Sequence, residues 1–490
     1  MSSKANFPLA LMIFSLLIQL NVSGCSKTIK EVQPINTDTT TTPKSFVKTD
    51  VMFWLTKADS TIRFQRQNIA LNFSASSSSG TTIVVDSTQT YQTMDGFGFA
   101  LTGGSAYLIN RLPSADRSKI LQELFASDST FIGISYLRIS IGSSDLNSYV
   151  FSYDDTYTNF ADTNLTQFSI TPDTYDLIPV LKSILAINPN IKILGSPWSA
   201  PAWMKTNQYS VGGSLEPQYY GVYARYFVKY IQAMKANGIT LDAVTVQNEP
   251  EYGGNNPSMV LTAQQEADFV KNDLGPAFKA ASITTKIIIF DHNCDHPGYP
   301  ITVLRDTDAY PYIDGSAFHL YGGDISALSQ VHNAYPDKNV YFTEQWVGGS
   351  STNNFAPDLD WAVKNLIIGA PVNWSRNVLE WNLASDPSYK PHTQGGCSTC
   401  LGALTIGTYI RRNVSYYIIA HASKFVRPGS VRIGSSVAAN LPNVAYKTPD
   451  GKKVLIVMND GSSTQSFSIK SGDKYVTTSL DAGSVATYVW

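Results

Sequence analysis

Ala243-Val244-Thr245-Val246-Gln247-Asn248-Glu249-Pro250 is the stretch whose reading decides the fold. Ala243–Asn248 is a short run rich in apolar and β-branched side chains, and it reads as a strand. Pro250 cannot continue the ladder, so the strand ends with a carboxylate at its tip. Amphipathic segments flank it at Pro217–Asn237 and Thr262–Ala281. Thr262 followed by Gln265 has the form of a capping box and marks a helix start. A second apolar run, Lys286–Asp291, comes next. Strand, helix and strand in that order make a parallel pair.

Working outward, the same alternation recurs. Apolar runs stand at Met94–Leu101, Tyr136–Ile141 and Ile191–Pro197 before this unit, and at Ser316–Tyr321, Val340–Gln345 and Val378–Asn382 after it. Eight strand–helix units over residues 94–425 predict an α/β fold, a (β/α)8 TIM barrel. A doubly wound sheet is the alternative. It lacks support because Asp95-Gly96-Phe97-Gly98 is only superficially like a phosphate-binding G-x-G-x-x-G turn.

After Arg427 the pattern changes to short runs bounded by Gly, Asn or Asp: Val431–Gly434, Val444–Lys447, Lys453–Asn459, Ser466–Ile469, Tyr475–Ser479 and Val485–Trp490. Residues 49–93, notably Thr82–Asp86, also read as strands. The expectation is one antiparallel all-β sandwich built from residues 49–93 and 426–490, packed against the barrel.

The chain has 490 residues, of which 43% are hydrophobic and only 15% charged, with 36 basic and 38 acidic residues. An average soluble protein has about 25% charged residues. No basic excess exists to hold a phosphate backbone, so nucleic acid is excluded as an expected partner. The 27 Tyr and 8 Trp residues suit a protein that stacks rings on hydroxylated surfaces, or fill a large core.

Lys4 precedes an apolar run, Pro8 to Leu20, which is too short to span a bilayer and fits a signal segment. It ends in Val22-Ser23-Gly24-Cys25, which resembles a bacterial lipobox with Cys25 as the lipidated residue. Residues 1–25 are therefore expected to be a lipoprotein signal peptide, and residues 26–48, polar and Thr-rich, a tether. The expected address is the bacterial cell envelope, lipid-anchored, with plain secretion as the alternative. Beyond the anchor no membrane contact is expected, and a monomer is the expected state. Of Cys294, Cys397 and Cys400, the last two form a C-x-x-C in a Gly-rich loop. That pair reads as a local disulfide or as free thiols; a redox motif, or a zinc site with His392, fits less well.

Active sites of such barrels gather where strands end. The strand ends supply Arg138 and then Asp145, Trp198, Asn248 and Glu249, His319 and Tyr321, Glu344 and Trp346, and Glu380, Trp381 and Asn382. Two carboxylates facing each other across a mouth fit hydrolysis of a glycosidic bond. Glu249 is the expected general acid and then base, its pKa raised by the charge of Glu344. Glu344 is the expected nucleophile, kept ionised by Arg138. Asn248 can donate to a sugar hydroxyl. Trp198, Trp346 and Trp381 offer flat faces to sugar C–H surfaces. Glu380 and Glu251 are expected at the rim or behind the site, and Trp203 and Trp374 in the core. No metal or organic cofactor is called for.

The chain resembles glycoside hydrolase family 30, from about Met94 to Trp490. The resemblance rests on Asp95-Gly96-Phe97-Gly98, Leu137-Arg138-Ile139 with Asp145, and the run Ser196-Pro197-Trp198-Ser199-Ala200-Pro201-Ala202-Trp203. It continues through Ala224-Arg225-Tyr226-Phe227, Asn248-Glu249-Pro250, His319 with Tyr321, Thr343-Glu344, Trp381-Asn382-Leu383-Ala384 and His421-Ala422-Ser423-Lys424-Phe425. The resemblance implies a retaining mechanism with Glu249 as acid/base and Glu344 as nucleophile. It implies that Asp145, Trp198, Asn248 and Trp381 hold the glycone, with Arg138, His319 and Tyr321 beside the nucleophile. The loop Gly395-Gly396-Cys397-Ser398-Thr399-Cys400 departs from the animal lipid-cleaving members and looks like bacterial relatives, some of them endo-β-1,6-glucanases. The expected substrate is a β-glucan, cut as an endo-β-1,6-glucanase would cut it. A glucosylceramidase-type or other exo-β-glycosidase is the alternative, and a non-catalytic glycan-binding protein is the remote one.

Overall fold

The computed structural model describes residues 46–490, apart from 77–79, 129 and 349–353. The signal segment, Cys25 and the tether as far as residue 45 lie outside the described residues. Among the described residues no helix is long and apolar enough to cross a membrane.

The barrel closes as the alternation requires. Its strands, in chain order, are Gly96–Ala100, Tyr136–Ile141, Lys192–Pro197, Ala243–Thr245, Lys286–Cys294, Ile313–Gly323, Asn339–Glu344 and Ser375–Asn382. Each pairs in parallel with its neighbours, and the eighth pairs with the first. Small residues fit the tight wall: a Cβ on Gly98 would lie 1.9 Å from the carbonyl oxygen of Tyr136.

Strand four is shorter than expected, stopping at Thr245 rather than Asn248. The cause is the turn that follows. Glu249 adopts φ +46, a left-handed conformation costing a non-glycine residue about 1–2 kcal/mol. Its N–H donates to the Asp291 carbonyl, while the Asn248 N–H donates to that of Pro197. The backbone thus splays between strands three and five and lifts Glu249 over the mouth.

The expected helix Pro217–Asn237 is a short 3-10 turn running into Tyr220–Ala236. Behind strand four, the expected helix Thr262–Ala281 runs as Ala263–Phe269 and Gly275–Ala280 around a wide turn at Val270–Leu274. Pro276 explains the interruption, because its ring blocks an ordinary helical hydrogen bond one turn back. The capping box of Thr262 and Gln265 is present.

The side domain is assembled from both chain ends. Met52–Thr56, Gln65–Arg66 and Thr82–Thr93 join Val431–Ser435, Asn443–Lys447, Lys453–Met458, Gln465–Ser471, Lys474–Leu480 and Val485–Val489. Strand Thr82–Thr93 is much longer than the expected Thr82–Asp86, and it pairs with Val431–Ser435 on one side. On its other side Gln465–Ser471 runs parallel to it, so the domain is not wholly antiparallel. The sheet folds over itself, since Phe467 and Phe53, from strands far apart in the sheet, both pack on Tyr488. Where the side domain meets the barrel, His421 bridges Thr56 and Thr487 at 2.8 and 2.9 Å. Burial pushes its pKa down to about 3, so the junction carries a neutral ring.

Candidate active site

Strand periodicity carries the side chains inward at the C-terminal ends of the barrel strands. Arg138, on strand two, is fully buried and stands at the centre. Its guanidinium donates to Glu344 Oε2 at 2.5 Å, to Asn248 Oδ1 at 2.7 Å, to Asp291 Oδ2 at 2.7 Å and to Ser196 Oγ at 3.0 Å. Glu344 also accepts from the Tyr321 hydroxyl at 2.9 Å, and that hydroxyl accepts from the Trp346 N–H at 3.0 Å. Glu249, in the turn that follows strand four, faces Glu344. Carboxylate oxygens of the two and a nitrogen of His319 all lie within 4.8 Å of one another.

The mouth opens into a cavity of about 420 Å³. Trp198 and Trp381 stack at 5.3 Å on one wall, and the Arg138 guanidinium lies 4.8 Å from the Trp198 ring. Asp145 closes that side, with its carboxylate accepting from the Cys397 N–H at 3.1 Å. Cys397 and Cys400 are joined as a disulfide, so the zinc reading with His392 falls away. Cys294 is free and buried. Of the predicted site residues, Asp145, Trp198, Glu249, Tyr321, Glu344, Trp346 and Trp381 line this cavity, whereas Arg138, Asn248 and His319 are buried beside it, Arg138 bonded to Glu344 and Asn248, and His319 to Glu249. Glu251 lies at the rim, paired with His296. Glu380 is buried on the opposite face of strand eight from Leu379 and Trp381, and burial keeps its pKa well above the usual carboxylate range.

Sequence reasoning missed Asp291, a fully buried residue that ties the cluster together. Besides Arg138 it accepts from His319 Nε2 at 3.1 Å and from the hydroxyls of Thr343 at 2.6 Å and Thr245 at 2.8 Å. Phe290 and Asp291 both have positive φ, at +74 and +57. This bulge turns Asp291 into the barrel. A period of two from Ile288 would have put Phe290 there instead. The Glu266 carboxylate, fully buried in the helix behind, accepts from the Phe290 N–H at 3.2 Å and holds the bulge.

The electrostatics follow from this packing. Burial opposes charge on Asp291, but the Arg138 charge and the His319 hydrogen bond outweigh it and hold the carboxyl far below its usual range. Burial also opposes charge on His319, yet Glu344, Asp291 and Glu249 raise its pKa to about 9, so the ring is protonated at neutral pH. That proton corrects one expectation. The charge of Glu344 was expected to lift Glu249. Burial does push Glu249 up, but the His319 Nδ1–H, 3.3 Å away, outweighs it and leaves Glu249 below its ordinary value. Glu344 is the one raised, by its burial, with His319 and Arg138 opposing and Glu249 adding. The two acids thus behave as one coupled pair. Glu249, His319 and Glu344 have the spacing of a metal site, but a protonated His319 offers no lone pair and Arg138 already neutralises Glu344, so the donor set does not suit a cation.

A family model described as the glycosyl hydrolase family 30 TIM-barrel domain matches residues 94–426, and its β-sandwich domain matches residues 429–488. The endo-1,6-beta-D-glucanase of Neurospora crassa is 35% identical over 75% of this chain and 79% of its own length. Putative glucosylceramidase 2 of Caenorhabditis elegans is 33% identical over 76% of each. Among solved structures, the endo-beta1,6-glucanase BT3312 superposes with a TM-score of 0.83 at 37% identity, covering 90% of this chain and 99% of that one. With a closed parallel barrel, a side sheet drawn from both chain ends and paired carboxylates at the mouth, the chain belongs to glycosyl hydrolase family 30 and is a glycoside hydrolase.

Proposed function

We propose that the protein is a retaining endo-β-1,6-glucanase that works by double displacement. The carrying observation is that a carboxylate oxygen of Glu249 and one of Glu344 lie within 4.8 Å of each other. A retaining pair stands about 5–5.5 Å apart and an inverting pair about 6.5–9.5 Å, because inversion needs room for a water between the general base and the anomeric carbon. Glu344 attacks the anomeric carbon while Glu249 gives its proton to the leaving oxygen. Glu249 then takes a proton from water, which releases the sugar from Glu344 with its original configuration.

The resting pair must reverse its bias for this. A sugar packed against Glu249 strips it of water and favours its neutral form, while Arg138 and the Tyr321 hydroxyl hold charge on Glu344. Developing positive charge at the anomeric carbon favours the same ionised Glu344. Asp145, Trp198, Asn248 and Trp381 line the other side of the mouth, where the glycone would sit. Arg138 already occupies the Asn248 oxygen, which leaves the amide N–H groups for a hydroxyl.

The β-1,6 linkage rests on the named activity of the relatives at 35% and 37% identity. Product analysis on β-1,3-, β-1,4- and β-1,6-glucans and on glucosylceramide tests it. Short β-1,6 oligosaccharides are the expected products, and release of ceramide without glucan cleavage would transfer the assignment to the alternative. Cys25 is read as a lipid-bearing residue that fixes the enzyme to a bacterial envelope. Metabolic labelling with a fatty acid should mark the wild type and not Cys25→Ser; equal labelling of both would remove the anchor.

A further inference from the structure

The cavity extends past the acid pair on the side of Glu249, and nothing above uses that part. Proton donation by Glu249 puts the leaving group beside its carboxyl. The neighbouring chain is the loop that follows it: the Tyr252 N–H donates to the Glu249 carbonyl, and Asn255 Nδ2 donates to Glu249 Oε2 at 3.0 Å. Opposite stands the end of strand five, with His292 and Asn293. His292 is 7% exposed, and its Nδ1 has no hydrogen-bond partner among the described residues. Asn293 Oδ1 accepts from the Tyr321 N–H, which leaves its amide hydrogens unused by that bond.

Tyr252 is 51% exposed, yet its ring has a defined seat. A Cβ on Gly254 would lie 2.6 Å from the Tyr252 hydroxyl and 2.7 Å from the ring carbon that bears it, so the hydroxyl end of the ring packs over Gly254, where a side chain would collide with it. An aromatic face edged by an imidazole and two amides is what a pyranose ring recognises: C–H groups on the face, hydroxyls at the rim. Past Glu251 a further groove of about 730 Å³ gives room for more of the chain.

We propose that this region is a sugar subsite on the leaving-group side, with Tyr252 as its platform and His292 and Asn293 as its hydrogen-bonding edge. It deepens the glucanase reading above and rests on it. The leaving group is then a hydroxylated ring and not a lipid, and the enzyme cuts between two sugars of a chain.

The second half-reaction offers a direct test. With Glu344 trapped as a 2-deoxy-2-fluoroglucosyl ester, an acceptor hydroxyl attacks the anomeric carbon. The C–O bond to Glu344 breaks with its electron pair on the carboxylate, and the acceptor proton passes to Glu249. Reactivation is measured against rising methyl β-glucoside and, separately, 1-octanol. Saturation by the sugar is expected, with the half-saturating concentration raised about tenfold in Tyr252→Ala, a loss typical of one ring–ring contact. Tyr252→Trp restores it, Gly254→Ala weakens it by displacing the ring, and Tyr409→Ala, altering an exposed tyrosine outside the cavity, matches the wild type. Non-saturating reactivation, equal values for Tyr252→Ala and wild type, or a preference for octanol would each overturn the subsite while leaving the hydrolase intact. Failure to trap Glu344 at all would overturn both.

Discussion

Two layers of side chains fill the barrel, and they are chemical opposites. The lower layer consists of Tyr136, Leu194, Ala243, Ile288, Ala317, Tyr341 and Leu379, all buried and packed as one apolar cluster. Two residues further along the same strands come Arg138, Ser196, Thr245, His319, Thr343 and Trp381, nearly all bound into one hydrogen-bonded network. A step of two along a strand keeps a side chain on the same face. The lower layer therefore holds the strands together and fixes the positions from which the upper layer works. Water is kept from both, so charge in the upper layer has to be matched internally.

Substitutions can separate the two layers. The largest effect belongs to the upper one: Glu344→Gln should lower turnover by at least about 10⁴-fold, as removal of a nucleophile does, while leaving the melting temperature near that of the wild type. Normal turnover would move the nucleophile elsewhere. Asp291→Ala should affect stability as well as turnover, because it removes the one carboxylate that Arg138 and His319 share and leaves each of these buried cations with a single acid, Glu344 and Glu249 respectively. Breaking such a pair costs about 3–5 kcal/mol, to be read from urea unfolding. A variant that is as stable as the wild type would mean the network repairs itself around the gap.

Leu379→Ala tests the lower layer alone. Leu379 is fully buried, so truncation should cost about 2–5 kcal/mol through lost transfer energy and a cavity. The kcat of the folded fraction should stay within about threefold of the wild type if the layers are separable in this way. A collapse of kcat would show that the floor positions the mouth dynamically as well as statically.

The pH dependence of stability isolates His319. Its pKa rises from an ordinary 6.5 to about 9 on folding, so protonation favours the folded state. That contribution is complete below pH 6.5 and is lost as pH rises toward 9. The wild type should therefore lose stability across that window more steeply than His319→Gln, measured as the melting temperature at each pH. Parallel curves would place the proton elsewhere.

The legibility of the two layers differs for a related reason. The eight strands showed themselves because apolar runs alternate with amphipathic ones; Glu249 and Glu344 were found because they stand at or just past the ends of those runs, and Arg138 and His319 because they are charged or titratable residues inside otherwise apolar runs. Asp291 also ended a run, but regular alternation from Ile288 turns it outward. Only the left-handed pair Phe290 and Asp291 reverses it, and two non-glycine residues with positive φ leave no compositional mark. The reversed bias of Glu249 and Glu344 was hidden for a similar reason. It depends on which acid the His319 nitrogen reaches, and spacing along the chain does not carry that. The parallel pairing of Gln465–Ser471 with Thr82–Thr93 joins chain ends nearly the whole sequence apart, beyond the reach of local pattern.

The smallest effect is expected at the border of the upper layer, in the loop that carries the disulfide. Cys397→Ser opens a ring spanning a sequence separation of only 3, and so short a loop restricts the unfolded chain little, so the loss should be about 2 kcal/mol or less. The chemistry depends on something else in the same residue: the backbone N–H of Cys397, which holds the Asp145 carboxylate and survives the substitution. The expected signature is a KM for glucan raised about two- to fivefold with kcat nearly unchanged, as when binding shared by ground and transition states is weakened. A fall in kcat without a change in KM would mean instead that Asp145, held by this loop, gains its main contact only in the transition state, and the boundary between binding wall and reacting centre would have to be redrawn to include it.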